Sequence, residues 1–375
     1  MQKVTLEGEL ENEFPNNTIE ITDSVDKKEW VITIDGVTEN VPIGKDTPTA
    51  LKVAEHKNEK FSTNTELEDS LGNKITVPAG FKIVEGNNVT DGIVIEDVDA
   101  GTTATKGSQF VWIPVGEIYS DTNGTITNIE LCRCGFNGYG EKVTVEEGWE
   151  YQLTIMTESG IPSFVVNPMR SFTFSEEITS RIGSTADNTN ATAKNLGDFL
   201  SKASKGYYIG RYEARTPMQR IETTEDENLT QITEKSGDYV YNYVTQSQAS
   251  SLSRNMYTSD NFNSDLMNSY AWDTAILFLQ AFDDRTNKIP KYSMQKSLDT
   301  SLAQIGTTAD KICNIYDMAG NCCEWTTESI SDTSNCCVTH GSDFQSNYHY
   351  SSSRDTCNTT MSGENISFRT ILYVK

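Results

Sequence analysis

Cys313-Asn-Ile-Tyr-Asp-Met-Ala-Gly-Asn-Cys-Cys-Glu-Trp-Thr-Thr-Glu328 is the stretch on which the reading of this chain turns. Gly320 permits a turn at positive φ, Asp317 and Glu324 bring two carboxylates to it, and Trp325 gives it an apolar anchor. Carboxylate and carbonyl oxygens on one flexible turn suit calcium, a hard cation that accepts irregular oxygen geometry. The same residues suit a tight turn stapled by hydrogen bonds with no ion, and both readings stay open.

Working outward, residues 331–366 hold almost no aliphatic side chains and are expected to be irregular, held by their flanks. Phe368-Arg-Thr-Ile-Leu-Tyr-Val374 then closes the chain as a strand. Upstream, Trp272, Ala275, Ile276, Leu279 and Phe282 follow the spacing of a helix that buries one stripe, as do Leu196, Phe199, Leu200 and Ala203. Phe110-Val-Trp-Ile-Pro-Val115 and Tyr207-Tyr-Ile-Gly-Arg-Tyr-Glu213 read as strands, and residues 120–151 as hairpins punctuated by Gly and Asn. At the start, Leu6, Leu10 and Phe14 predict a short helix that Pro15 stops. The alternating runs Thr18–Thr22 and Trp30–Ile34 predict strands, with a hairpin turn at Asp35-Gly36. Residues 44–74 are polar, short strands follow at 75–77, 81–84 and 92–95, and Asp97–Ser108 reads as a linker. The expected division is an α+β module over 1–107 and a second domain over 108–375.

The length of 375 residues predicts two to three domains at roughly 150 residues each. With 54 acidic against 30 basic residues the net charge is −24, which disfavours nucleic acid and anionic membrane surfaces, both of which are bound through cations. No apolar run approaches a membrane span. The opening Met-Gln-Lys-Val-Thr lacks the pattern of a signal peptide, so export would require a leader outside this sequence. A composition rich in Thr, Ser, Asn and Gly favours a β-rich extracellular chain. The eight cysteines form no spaced framework, and their pairing is left unassigned.

Several short motifs weaken on inspection. Gly101-Thr-Thr-Ala-Thr-Lys-Gly-Ser108 reverses the Gly-Lys order that a phosphate loop needs. Asp97-Val-Asp-Ala-Gly101 brings its glycine one place early for a calcium loop. Cys132-Arg-Cys134 and the adjacent pairs 322/323 and 336/337 lack the spacing of a structural zinc site. Histidines 56, 340 and 349 come with no nucleophile elbow to complete a hydrolytic triad.

The 313–328 stretch resembles the Tyr-Asp-Met-x-Gly-Asn-x-x-Glu-Trp segment of the formylglycine-generating-enzyme (sulfatase-modifying factor) family of C-type lectin folds. Four outlying segments match in order: Phe110–Gly116, Gly206–Glu213, Tyr270-Ala-Trp-Asp-Thr-Ala275, and Ile366-Ser-Phe-Arg369, where Ser replaces the family's Gly. The resemblance covers 108–375 and implies an α+β, C-type-lectin-like fold. It further implies calcium ligated by the side chains of Asp317 and Glu324 with the carbonyls of Gly320 and Cys322. Catalytic members carry a cysteine pair a few residues after an Arg-Gly-Gly-Ser stretch, where copper is held. The matching His340-Gly-Ser-Asp343 and the residues through Ser351 contain no cysteine, so no copper and no oxidase activity are expected.

A second branch of the resemblance is the variable proteins of diversity-generating retroelements, in which mutated asparagine codons yield a restricted set including Asn, Ser, Tyr, Asp, His, Cys, Thr and Phe. From Asn335 to Asn358, 20 of 24 residues belong to those eight types, the exceptions being Val338, Gly341, Gln345 and Arg354. An ordinary polar loop would explain Ser and Asn but not this density of Tyr, His and Cys. Tyr offers rigid amphipathic contact area and Ser and Asn adaptable hydrogen bonds, as in antibody paratopes. The expectation is a hypervariable binding segment at about 335–365, with Asp343, Phe344, Ser346, Asn347, Tyr348, His349, Tyr350 and Ser351 facing solvent toward a protein or glycan ligand. The setting would be a bacterial cell surface or a phage tail, and the helix-then-meander order of the N-terminal module faintly resembles a pilin head without its membrane helix. The rivals are a divergent copper-dependent oxidase and a structural surface subunit that binds nothing.

Overall fold

Strict alternation writes the first unit. Ile19–Asp23, Glu29–Ile34 and Val37–Pro42 form a three-stranded antiparallel sheet in which Ile21 lies opposite Ile32, both buried. Asp35 (φ 47°) and Gly36 (φ 83°) are both left-handed and pair Ile34 with Val37 across the two-residue hairpin that Asp-Gly predicts. The computed structural model describes residues 18–23, 29–42, 50–137, 139–144, 174–175, 181–182, 185–186, 193–216, 237, 239–286, 290–330, 337–346 and 349–375. The expected helix at Leu6, Leu10 and Phe14 lies outside these.

The chain divides into units 1–51 and 52–375, which moves the expected 107/108 boundary. The cause is sheet pairing. The principal sheet of the second unit runs Phe262–Leu266, Thr370–Val374, Gly206–Gly210, Gln109–Pro114, Val94–Asp97, Phe81–Glu85, all neighbours antiparallel. Two of its six strands therefore precede residue 108. Asp97–Ser108 is a built turn and no linker: buried Asp97 accepts from Ala100 N, Thr105 Oγ1 (2.6 Å) and Tyr257 Oη (2.9 Å).

The closing strand does not pair directly with Gln109–Pro114. Thr370–Val374 sits between Phe262–Leu266 and Gly206–Gly210, and the latter separates it from Gln109–Pro114. Across this sheet Phe81, Phe110, Tyr257 and Phe262 pack at centroid distances of 5.6–6.1 Å, mostly edge to face, each such pair adding about 0.5–1.5 kcal/mol beyond burial. The Ser269–Phe282 helix buries Trp272, Ala275, Ile276 and Leu279 completely, and the Ala193–Lys202 helix buries Phe199.

A second sheet carries the region of interest. Cys323–Ile330 pairs with Phe174–Ser175 on one side and Cys337–His340 on the other, Arg354–Cys357 follows, and Ile366–Phe368 joins Cys323–Ile330 in parallel. The expectation of an irregular 331–366 is thus corrected. Cys337, Val338, Thr339 and His340 are all buried, so backbone pairing and burial make a strand where aliphatic alternation is missing.

Candidate functional site

Three of the five matched segments, Gly206–Glu213, Cys313–Glu328 and Ile366–Arg369, meet in buried polar contacts. Arg369 grips Glu324 with Nε (3.2 Å to both carboxylate oxygens) and Nη2 (2.7 Å to Oε1) and donates to the carbonyls of Gly210 and Tyr316, all at full burial of both side chains. Glu213 accepts from Asn321 Nδ2 (2.5 Å) and Cys322 N (3.0 Å). Burial, then the charges of Asp317 and Glu324, push the Glu213 carboxyl well above its ordinary range. Trp325 donates to the Val244 carbonyl. The turn itself differs from expectation in one respect. Positive φ falls on Asp317 (65°) and Asn321 (56°), whereas Gly320 is required by close approach, since a Cβ there would lie 2.9 Å from Ser297 Oγ.

The implied calcium ligands are not equivalent. Both oxygens of Asp317 are buried outside good hydrogen-bond geometry, and burial pushes this carboxyl up to about 8 against the pull of the nearby Thr308 hydroxyl. An orphaned buried carboxylate fits a cation. Glu324 does not fit in the same way, because both its oxygens are on Arg369. Gly320 and Cys322 lie on the same turn, Cys322 donating its amide to Glu213. Among the described residues no group of three or more His, Cys, Asp or Glu side chains is arranged to hold a metal.

The C-terminal segment is a loop, residues 341–353, hung between two paired strands. Among the described residues its half-exposed side chains are Phe344, Ser346, His349 and Ser352, with Gln345 exposed. Asn347 and Tyr348 lie outside the described residues. Three of the expected solvent-facing residues are corrected: Asp343 (3% exposed), Tyr350 (6%) and Ser351 (0%) are buried. Each serves the loop. Asp343 Oδ1 accepts from Gln345 N, Ser351 Oγ donates to the Tyr292 carbonyl, and Ser351 O accepts from Trp272 Nε1 (2.9 Å). Tyr350 packs beneath Lys296, whose ammonium sits 5.1 Å from the ring centroid.

Under the loop lies a charged network. Glu328 Oε2 accepts from His340 Nε2 (2.7 Å) and Arg354 Nε (3.0 Å), and Arg133 Nε lies 3.2 Å from Oε1. Arg354 also donates to Asp273 Oδ2 and to the Cys134 carbonyl. Burial would raise the Glu328 carboxyl, but Arg354, Arg133 and His340 together hold it well below the carboxylate range. Burial and then Arg354 push His340 down to about 4, while burial takes Asp273 up to about 7 against the pull of Arg354. Sequence reasoning does not assign these roles to Glu328, Arg354, Asp273 and Arg133. The weak signal available is one Arg inside an otherwise restricted segment.

A family model described as sulfatase-modifying factor enzyme 1-like domain matches residues 99–374. No curated protein and no solved structure gives a match. Among the described residues no helix is long and apolar enough to cross a membrane.

Proposed function

This chain belongs to the sulfatase-modifying factor enzyme 1-like family, and on that premise we propose that it is a non-catalytic, ligand-binding member, a receptor or adhesin whose 341–353 loop is diversified by a retroelement. The observation that carries this reading is the separation of roles within the loop. Asp343, Tyr350 and Ser351 anchor it, Glu328 ties its two flanking strands, and Phe344, Ser346 and His349 stand partly clear of the scaffold. Side chains that stand partly clear of a core can be exchanged at small cost to what lies below.

The ligand would be a protein or glycan on a cell or phage surface, met by aromatic and hydrogen-bonding side chains. Absence of cysteine from 338–356 supports binding over copper oxidase chemistry. Calcium, where bound, would be held by Asp317 and would brace the turn. The lectin-like character of residues 108–375 and the pilin-like resemblance of the N-terminal module, residues 1–107, belong to the same proposal.

The test pairs a library varied at Phe344, Ser346, Asn347, Tyr348 and His349 with glycan and cell-surface-protein arrays. Members should melt like the parent and differ in the ligands they capture. Unfolding of most members, or copper-dependent oxygen consumption with a cysteine-containing peptide, would overturn the reading. A near-identical template repeat and a reverse-transcriptase gene beside this one would support diversification.

A further inference from the structure

The 341–353 loop hangs from a stem of cross-strand pairs. His340 faces Arg354 at the end next to the loop, and Cys337 faces Cys357 at the far end. Glu328 holds the near end, accepting from both members of that pair. The far end carries two sulfurs. Both residues are buried, and both side chains are thiols in the structure.

Register fixes where these side chains point. Residues directly opposite on antiparallel strands project from the same face of the sheet, with Cα atoms and Cβ atoms each about 4.5–5.5 Å apart. A disulfide spans Cα atoms about 4.4–6.8 Å apart and Cβ atoms about 3.5–4.5 Å apart, so the bridge asks for an approach of about 1 Å at the end of a ladder. The side chains agree with the backbone. Alternation along the strand puts Thr339 on the face of Cys337, and Thr339 Oγ1 lies 3.9 Å from the sulfur of Cys357. Other cysteines on paired strands face different residue types, Cys134 meeting Thr144 and Cys323 meeting Ile366. The sulfurs of Cys313, Cys322 and Cys323 are turned to backbone carbonyls.

We propose that Cys337 and Cys357 are a disulfide-forming pair that locks the base of the 341–353 loop when the chain folds under oxidising conditions, the oxidant being a small disulfide RSSR. One cysteine thiolate attacks a sulfur of RSSR, the S–S bond breaks and RS⁻ leaves. The second thiolate then displaces the other RS⁻ and forms the protein S–S bond. The two RS⁻ take up the two protons that the cysteines released, so two thiols are oxidised to one disulfide and RSSR is reduced to two RSH. The bond is made as the stem forms. In the finished fold Cys337 is fully enclosed, and burial pushes the Cys357 thiol up to about 12, which leaves little thiolate to attack. Closing a segment of roughly 20 residues restricts the unfolded chain and so favours the native loop. The stem is then held at both ends, by charge beside the loop and by a covalent bond away from it, whatever the loop binds. A reducing compartment would leave the pair as thiols.

The experiment makes the full chain by cell-free synthesis in a glutathione buffer poised oxidising and, in parallel, with dithiothreitol. Remaining thiols are blocked with N-ethylmaleimide, and linked peptides are identified by mass spectrometry with fragmentation. In the oxidising arm Cys337 and Cys357 should be joined, two hydrogens lighter together, while Cys313, Cys322 and Cys323 carry the label. That protein should melt about 5 °C above the reduced one. Cys357→Ser should lose both the link and the redox dependence of melting, and Cys336→Ser should keep both. Cys357 linked to Cys336 or Cys323, a fully labelled protein, or oxidised and reduced forms that melt alike would each overturn the proposal. Should Cys357→Ser not fold, the mapped link and the two melting temperatures of the parent protein decide.

Discussion

His340 and Arg354 face each other across the antiparallel pairing of Cys337–His340 with Arg354–Cys357, and both hydrogen-bond the same atom, Oε2 of Glu328. The loop between them thus begins and ends on one carboxylate of a neighbouring strand. Buried charge of this kind holds only while every partner is present.

Glu328→Gln therefore leaves half-buried Arg133 without Glu328 and buried Arg354 with only Asp273 of its two carboxylate partners, and should destabilise the second unit by about 3–5 kcal/mol. Urea unfolding followed by tryptophan fluorescence measures it. A midpoint equal to the parent's would remove the clamp from the account.

The same network fixes a pH dependence. An unfolded histidine titrates near 6.5, and folded His340 near 4. Above pH 6.5 neither state holds this proton. As pH falls below 6.5 the unfolded chain binds it and the folded chain does not, so stability is lost until about pH 4, where the native imidazole protonates too. Asp273 and Asp317, raised to about 7 and about 8, act in the opposite sense, gaining stability as pH falls, in parent and variant alike. Between pH 7 and 4 the parent should lose about 3 kcal/mol more than His340→Gln. Parallel curves for the two proteins would contradict the buried neutral imidazole.

Calcium added to protein first shown to be metal-free should raise the melting temperature, as any ligand of the native state does. At about a hundred times Kd the gain is roughly 2.7 kcal/mol. Asp317→Asn should abolish the gain and, without calcium, should be the more stable protein at pH 8, because the raised Asp317 carboxyl costs stability as pH rises from about 4 to about 8. No calcium response in the parent protein would leave the Glu324–Arg369 pair as the brace of this turn.

Substitutions in the loop should split by anchor and display. Phe344→Ser and His349→Ser should change stability by under about 0.5–1 kcal/mol. Tyr350→Ser should cost more, and Trp325→Ala and Phe368→Ala, both fully buried, should cost about 3–5 kcal/mol. Thermal melts of the five variants side by side decide it, and equal losses at Phe344 and Tyr350 would dissolve the distinction.

What the sequence discloses follows chemical contrast. Aliphatic rhythm makes the Ser269–Phe282 helix and the Gln109–Pro114 strand legible, and Asp35-Gly36 declares its hairpin. The Gln246–Met256 helix escapes that reading because its buried face includes Gln246, Ser250 and Ser253, small or polar residues with little contrast. Its start is nevertheless written as Thr245-x-x-Gln248, a reciprocal capping box. The matched segments signal a fold, yet the pairing of Glu324 with Arg369 or of Glu328 with Arg354 is set by strand order. The loop's polar composition also conceals its division of labour, since Ser351 is fully buried on the Tyr292 carbonyl whereas Ser346, the same residue type, is half-exposed.

The family match begins at residue 99, but Val94–Asp97 pairs with Gln109, Phe110 and Val111 along one side of Gln109–Pro114, and Trp112 N is bonded to Ile93 O. A fragment trimmed to the family limits would present that apolar strand as a bare edge, with a row of unpaired amides and carbonyls. Edges of this kind recruit strands from other copies. Recombinant pieces starting near residue 99 are therefore expected to aggregate, whereas pieces starting near residue 52 retain their own cover for that edge.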